Sequence, residues 1–460
     1  MSSTDSQPDP AVLAQIFKAY DVRGLVPSQV DDALAGAVGS AFVQVTGAAG
    51  GSVVVGHDMR PSSPGMARAF AEGAAAAGAD VRLIGLASTD ELYFASGTFE
   101  MPGAMFTASH NPAQYNGIKM CRERAVPIGM DTGLSEIRDL VATGVRDVVD
   151  KPGRISDVDV LDDYAELLLS LAPVKGRRLT VAVDAGNGMA GHTAPAVLER
   201  LDVDVVPMYF ELDGSFPNHE ANPIDEANLR DLQAKVLEVG ADIGLAFDGD
   251  ADRCFLVDER GSTVNPSLLT ALIAARELQK QPGATVIHNL ITSRAVPQIV
   301  EELGGTPVRT RVGHSFIKAT MAETDAIFGG EHSGHFYFRD FWRADSGMLA
   351  ALHALAALAE TDQPLSSLLA EYARFAGSGE INSTVADQAA VLQEVERTYA
   401  GGHGVSVDHL DGLTVTHDDW WFNVRASNTE PLLRLNAEGK DEETMARVRD
   451  DVLATIRSRS

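Results

Sequence analysis

The sequence predicts an α/β protein: three related α/β domains with mixed, mostly parallel sheets, then a smaller C-terminal α+β domain. Three observations carry this. At roughly 150 residues per domain, 460 residues make about three domains, with room for a fourth. β-branched runs alternate with Ala-rich helical stretches, the pattern of βα units on a parallel sheet. That progression occurs three times and then gives way to a different one.

The first copy opens at GSVVVG (51–56), passes an Ala-rich helical stretch and VRLIG (81–85), and reaches GAMF (103–106). The second opens at LTVAVDAG (179–186), continues in VDVVPMYF (203–210) and reaches ADIGLAF (241–247). The third opens at ATVIHNL (284–290), runs through helix RAVPQIVEELG (294–304) and strand PVRTRV (307–312), and ends at DAIFGG (325–330). GMLAALHALAALA, from Gly347, is too short to span a bilayer and reads as a buried core helix. Beyond it the pattern changes. VSVDHLDGLTVTHDDWWFNVRAS (405–427) alternates like hairpin strands, PLLRLNAEG (431–439) is another strand, and 441–458 an amphipathic helix, acidic first and basic last. The expected domains are 1–150, 151–257, 258–373 and 374–460. Small and glycine residues over 373–382 mark the last boundary, with Gly377-Ser378-Gly379 as its hinge.

Thirty-seven Lys and Arg against 65 Asp and Glu give a net charge of −28. That weighs against nucleic acid or an anionic membrane as partner. Cys121 and Cys254 cannot make a disulfide framework and fit a reducing compartment. The opening MSSTDSQPDP lacks the basic start and apolar core of a signal peptide. The expectation is a soluble cytoplasmic protein.

The third strand of each copy runs into a polar loop: Thr107-Ala-Ser-His-Asn-Pro112, Asp248-Gly-Asp-Ala-Asp-Arg253 and Gly329-Gly-Glu-His-Ser-Gly-His335. α/β sheets place ligands just beyond such strand ends. Asp248, Asp250 and Asp252 alternate along an extended loop, so their carboxylates point one way and repel unless a hard cation such as Mg²⁺ binds them. An EF-hand reading finds Glu259 at its twelfth position. It meets Arg253 where the turn needs Gly, and strand-like flanks where helices are needed. A phosphatase with a strand-end Asp nucleophile fits the local pattern but leaves the other loops idle. Ser109 is the candidate nucleophile or phosphoryl carrier, without a Gly-x-Ser-x-Gly elbow. Lys119, ten residues on, could neutralise a phosphoryl group and handle protons. Glu331 and Ser333 suit two adjacent sugar hydroxyls. Arg425, Ser427, Asn428 and Thr429 form a donor set suited to a phosphate dianion.

Together KAYDVRG (18–24), TASHNP, NGIK, DGDADR, GEHSGH and RASNTEP (425–431) resemble the α-D-phosphohexomutase superfamily, and within it the phosphomannomutase/phosphoglucomutase group. The resemblance covers nearly the whole chain and implies four domains around a central cleft, the first three related. It implies that Ser109 carries the phosphoryl group and that Asp248, Asp250 and Asp252 hold Mg²⁺, completed by the Ser109 phosphate. Lys119, Arg23 or His335 would serve as general base, and His110 joins Ser109 in the catalytic loop. Tyr20, Arg253, His314, Glu331, Ser333 and His335 would face the substrate, with Arg425, Ser427, Asn428 and Thr429 holding its non-reacting phosphate. His332 stands where the glucosamine-specific branch has Gln, and Asn428 where its clamp has Gly, which favours mannose and glucose. The implied reaction interconverts mannose 1-phosphate and mannose 6-phosphate through hexose 1,6-bisphosphate, which also serves as activator, and extends to glucose phosphates. The expected partners are these hexose monophosphates, and the expected state a monomer or weak homodimer. A Mg²⁺-dependent sugar-phosphate phosphatase and a non-catalytic calcium-binding protein remain as alternatives.

Overall fold

A computed structural model describes residues 9–144, 149–426 and 432–458. Helix α1 (Pro10–Ile16), strand β1 (Asp21–Leu25) and helix α2 (Asp32–Thr46) precede the first repeat. That repeat is β2 (Ser52–His57), α3 (Ser63–Ala76), β3 (Asp80–Leu86), α4 (Thr89–Phe99) and β4 (Gly103–Phe106). The chain turns back in β5 (Tyr115–Arg122) and β6 (Val126–Pro127), then adds α5 (Leu134–Thr143) and β7 (Ile155–Asp157). The sheet order is β1-β5-β4-β2-β3-β7, with β6 on β5. After α6 (Leu161–Leu171) the second repeat follows: β8 (Leu179–Asp184), α7 (Ala190–Leu198), β9 (Val203–Met208), α8 (Arg230–Val239) and β10 (Ile243–Phe247). With β11 (Cys254–Asp258) and β12 (Thr263–Val264) it makes a sheet ordered β12-β11-β10-β8-β9. The third is α9 (Pro266–Lys280), β13 (Thr285–Asn289), α10 (Ala295–Glu302), β14 (Thr306–Thr310), α11 (His314–Thr324) and β15 (Phe328–Gly330).

All three repeats share one topology. β2 pairs in parallel with β3 and β4, β8 with β9 and β10, and β13 with β14 and β15. The opening strand is therefore central each time, and the third strand lies on its other side. In the first two repeats an antiparallel strand, β5 or β11, then covers the third strand. Parallel strands flanked by helices are buried on both faces, and β10 and β11 are buried at every position. In these two repeats the polar loop leaves from where the sheet changes direction, so it starts on a rigid strand end.

Contacts divide the chain into two compact units, one ending at Asn265 and including Ser333–Ser366, the other comprising Pro266–His332 and residues from Ser367 on. In the first, Phe42, Phe70 and Phe106 tie α2, α3 and β4 together, with ring centroids 5.5 and 5.6 Å apart. Ser88 and Glu91 close a capping box at the start of α4, aiming its first turn at the second repeat. Strands β16 (Phe336–Phe338) and β17 (Ala344–Asp345) form an antiparallel hairpin, followed by α12 (Gly347–Ala359). All thirteen residues of α12 are buried, as the run from Gly347 predicts.

Short α13 (Leu365–Leu369) leads to the last domain: β18 (Ala376–Thr384), α14 (Gln388–Tyr399), β19 (Ser406–Asp408), β20 (Leu413–His417), β21 (Trp420–Ala426), β22 (Leu432–Gly439) and α15 (Glu442–Arg457). It is an antiparallel sheet, ordered β18-β22-β21-β20-β19, with α14 and α15 packed on it. One expectation is corrected here. Gly377-Ser378-Gly379 lies inside β18 and is not a free hinge: Gly377 pairs with Glu438, and the register shifts before Glu380. Gly379 supplies a φ of +66° and Ser378 Oγ accepts from Ala437 N at 2.9 Å. The glycine signal marks a bulge, a feature that also wants residues without Cβ strain. Among the described residues no helix is long and apolar enough to cross a membrane.

Candidate active site

The loop after β4 holds Ser109 in a backbone conformation with φ +49°, a region that costs a residue with a Cβ about 1–2 kcal/mol. Several contacts hold it there. Ser109 N donates to Thr107 Oγ1 at 2.9 Å. Arg60, from the loop after β2, is 1% exposed and donates to the carbonyls of Ser109 (2.9 Å), Asn111 (2.7 Å), Pro112 (3.0 Å) and Tyr115 (2.9 Å). Its Nε donates to Asp58 Oδ2 at 3.2 Å. Ser109 Oγ donates to Asp248 Oδ2 at 2.8 Å and lies 3.2 Å from His110 Nδ1. The Arg253 charge, with burial and Arg23, pushes His110 well below the usual histidine range, so its imidazole is neutral. Arg23, on β1, donates to Asn111 Oδ1 and pairs with Asp21, which ties it to the same loop. Tyr20 is half-buried just before β1.

The loop after β10 brings Asp248, Asp250 and Asp252 together, all at most 1% exposed. Their carboxylates lie within 4.8 Å of one another. Gly249 permits the approach: a Cβ there would sit 2.5 Å from the Ser109 carbonyl oxygen. Two cations partly balance the three acids. Arg253 Nε donates to Asp248 Oδ2 at 2.9 Å. Lys119 Nζ, from β5, bonds Asp250 Oδ2 at 2.7 Å and Asp252 Oδ2 at 2.6 Å. Thr89, first residue of α4, grips Asp250 twice, through N to its carbonyl at 3.0 Å and Oγ1 to Oδ2 at 2.6 Å. Burial pushes Asp248 up, against the Arg253 charge. For Asp250 burial is outweighed by Lys119 and the Thr89 hydrogen bond, and the carboxyl is held low. Lys119 is the mirror case: burial is outweighed by Asp250 and Asp252, which hold it well above the usual lysine range. Lys119 thus bridges two carboxylates as a cation, which favours the charge-neutralising part of its expected role over the general-base part.

In the same unit, Ser333 Oγ lies 2.9 Å from His335 Nδ1, and His335 Nε2 lies 3.6 Å from Asp252 Oδ1. The second unit carries Glu331, 2% exposed, whose Oε1 accepts from Gly313 N at 3.1 Å and Asn289 Nδ2 at 3.3 Å. His314 opens α11, but its side chain lies outside the described residues. Arg425, on β21, donates to Glu380 Oε2 at 2.7 Å. Ser427, Asn428 and Thr429 lie outside the described residues.

Comparison with known proteins meets this geometry from the other side. Residues 14–146, 161–261 and 265–375 match the phosphoglucomutase/phosphomannomutase alpha/beta/alpha domains I, II and III, and 380–455 match the C-terminal domain. The chain is 38% identical over 450 residues to a phosphomannomutase of Escherichia coli K12, covering 96% of this chain and 98% of that one. The chain belongs to the phosphoglucomutase/phosphomannomutase family. A Pseudomonas putida phosphomannomutase/phosphoglucomutase is 36% identical over 449 residues, covering 96% of this chain and 95% of its own. A crystal structure of a family protein from Burkholderia thailandensis superposes with a TM-score of 0.87 at 33% identity, over 96% of this chain and 97% of that one.

As in a Mg²⁺-dependent phosphoglucomutase/phosphomannomutase, the carboxylate loop fits a hard cation. Among the described residues no donor reaches buried Asp250 Oδ1 or Asp252 Oδ1 within hydrogen-bond distance, a costly state unless a cation is their partner. An EF-hand is excluded: antiparallel β10 and β11 flank the loop, and Glu259 turns away to accept from Ser366 N at 3.0 Å. Arg60 and Thr89 escape the sequence reading of this family member. Asp58-x-Arg60 directly after a strand end was the available signal for the first. Nothing in sequence spacing announces that Thr89 reaches a residue 161 positions later.

Proposed function

We propose that this phosphohexomutase interconverts mannose 1-phosphate and mannose 6-phosphate through a phosphorylated Ser109 and a hexose 1,6-bisphosphate, and also acts on glucose phosphates. The observation that carries the reading is Ser109 Oγ, 2.8 Å from Asp248 within a carboxylate set suited to Mg²⁺. The names of the Escherichia and Pseudomonas relatives supply the sugars.

In the first transfer the bond from Ser109 Oγ to phosphorus breaks and one forms to the sugar's free O6 or O1; the sugar hydroxyl gives up its proton and Ser109 Oγ takes one up, leaving the free serine hydroxyl. In the second the bisphosphate, turned around, gives its other phosphoryl group back to Ser109. Such a transfer is positioning and charge neutralisation more than covalent chemistry. Asp248, Asp250, Asp252 and the Ser109 phosphate would hold Mg²⁺, which neutralises charge on the moving phosphoryl group. The chain itself does the rest. Arg60 and Thr107 fix the direction of Ser109 Oγ. Arg253, Lys119 and Arg23 balance the aspartates and the incoming dianion. In the return step Asp248 Oδ2 is the acceptor of the Ser109 hydroxyl proton, with the His110 imidazole 3.2 Å from the same oxygen. Glu331 and Ser333 read sugar hydroxyls, and Arg425 holds the phosphate that is not reacting. We read the protein as cytoplasmic and as a monomer or weak homodimer. Its net charge of −28 weighs against nucleic acid and anionic membranes as partners.

The deciding experiment follows mannose 1-phosphate to mannose 6-phosphate with added glucose 1,6-bisphosphate. Isomerisation without release of inorganic phosphate is expected; stoichiometric phosphate release would make the protein a phosphatase instead. EDTA should abolish turnover and Mg²⁺ restore it, since two buried carboxylate oxygens accept no hydrogen bond from the described residues. Full activity in EDTA would refute the metal role. Glucose 1-phosphate should turn over as well. Glu331 and Ser333 would hold hydroxyls that mannose and glucose share, and a pocket accepting the sugar in two orientations cannot read C2 tightly. A preference beyond about 10⁴-fold would require a dedicated C2 contact worth roughly 5 kcal/mol and would refute this tolerance.

A further inference from the structure

Within the second unit, Arg425 of the proposed phosphate clamp is already paired with an anion of the chain. Arg425 and Arg434 stand directly opposite each other on β21 and β22, a placement in which like charges repel. Glu380 comes from β18 and joins them: Oε2 accepts from Arg425 Nη2 at 2.7 Å, and Oε1 lies 3.4 Å from Arg434 Nη1. The three side chains are only 14%, 32% and 21% exposed for Arg425, Arg434 and Glu380. Among the described residues the buried Nε atoms of both arginines find no hydrogen-bond acceptor, so each guanidinium keeps a donor that those residues do not use.

We propose that Glu380 is a resident counter-anion which the substrate's phosphate displaces from Arg425, with Arg434 taking over the displaced carboxylate. This rests on Arg425 being the clamp for the non-reacting phosphate. A dianion bonded to Arg425 arrives beside a carboxylate, and that repulsion weakens its binding unless a second cation neutralises Glu380. Arg434 is the cation in place for that. The arrangement has two consequences. Without substrate, Glu380 keeps two facing arginines from repelling, so the clamp stays formed. During turnover, the bisphosphate must leave the clamp with one phosphate and return with the other. Glu380 reclaims Arg425 at each departure and keeps the phosphate from being held too long.

The test uses the full-length enzyme, with mannose 1-phosphate as substrate and inorganic phosphate as competitive inhibitor. Glu380→Gln keeps the shape and removes the charge. It should lower KM and the phosphate inhibition constant by about tenfold, the scale of one charge-assisted hydrogen bond, while kcat falls. Arg434→Gln should raise KM by a similar factor. In the Glu380→Gln background that Arg434→Gln effect should largely vanish, because Arg434 acts through Glu380. Arg425→Ala should raise KM at least about tenfold. If Arg425→Ala keeps the wild-type KM, the clamp reading itself falls. If Arg425→Ala raises KM and Glu380→Gln raises it too, Glu380 merely orients Arg425, and the exchange is overturned while the clamp stands. An equal effect of Arg434→Gln in both backgrounds would mean that Arg434 binds phosphate directly, which also overturns it. Circular dichroism melts check that every variant is folded.

Discussion

Ser109→Ala is expected to lose nearly all turnover, on the order of 10⁴-fold or more, while its melting temperature barely changes. The size follows from the chemistry: without Oγ there is no atom to carry the phosphoryl group between the two transfers, and no neighbouring side chain takes its place on the same strand end. The retained fold follows from the contacts. The loop is held by backbone groups, Thr107 Oγ1 on Ser109 N and Arg60 on four carbonyls, and none of these uses the serine hydroxyl. Alanine has the same Cβ as serine, so the strain at φ +49° is unchanged. Asp248 loses one donor but keeps Arg253 Nε at 2.9 Å. Steady-state rates measure the loss, and intact-mass spectrometry should find a phosphate-sized adduct on the active wild type that the variant lacks. An active, unphosphorylated Ser109→Ala protein would refute the phosphoserine mechanism.

What was legible in the sequence was what repeats or alternates. Three β-branched runs, each followed by a helical stretch, declared the repeats, because a buried parallel strand needs apolar residues on both faces and shows up as a continuous run. The strand ends then pointed to Ser109, the three aspartates and Glu331. The antiparallel last domain was legible for the same reason, through its two-residue alternation. Side-chain partnerships were not legible. Lys119 looked like a base beside a serine and is a bridge between Asp250 and Asp252, since the pairing of β4 with β5 decides where its ammonium points. Gly379 looked like a hinge because bulges and hinges want the same residue. Arg60 went unread because a buried arginine is recognisable only by the carbonyls around it, and those belong to a loop some fifty positions on.

Arg60→Met should be the most damaging change outside the reacting atoms. Methionine fills much of the arginine's volume but returns none of its hydrogen bonds, so the carbonyls of Ser109, Asn111, Pro112 and Tyr115 lose their shared donor. It also strands Asp58, fully buried against Arg60. Breaking a buried pair by removing one partner costs about 3–5 kcal/mol. The pH dependence has a definite sign. Burial already pushes the Asp58 carboxyl above its ordinary value, and the Arg60 charge is the chief opposing influence. Without that charge the folded-state value rises further, so folding takes up a proton. The variant's destabilisation relative to the wild type should be smallest at low pH and grow as pH rises through the Asp58 folded-state value, which paired thermal melts between pH 4 and pH 8 would reveal. Asp58→Asn added to Arg60→Met removes the stranded charge and should recover part of the lost stability and flatten that pH dependence. It should not recover turnover, because the Ser109 loop still lacks its anchor, and misplacing a reacting atom by an ångström costs about 10²-fold. Recovery of kcat in the double variant along with stability would mean that Arg60 serves the fold alone and that other contacts suffice to aim Ser109.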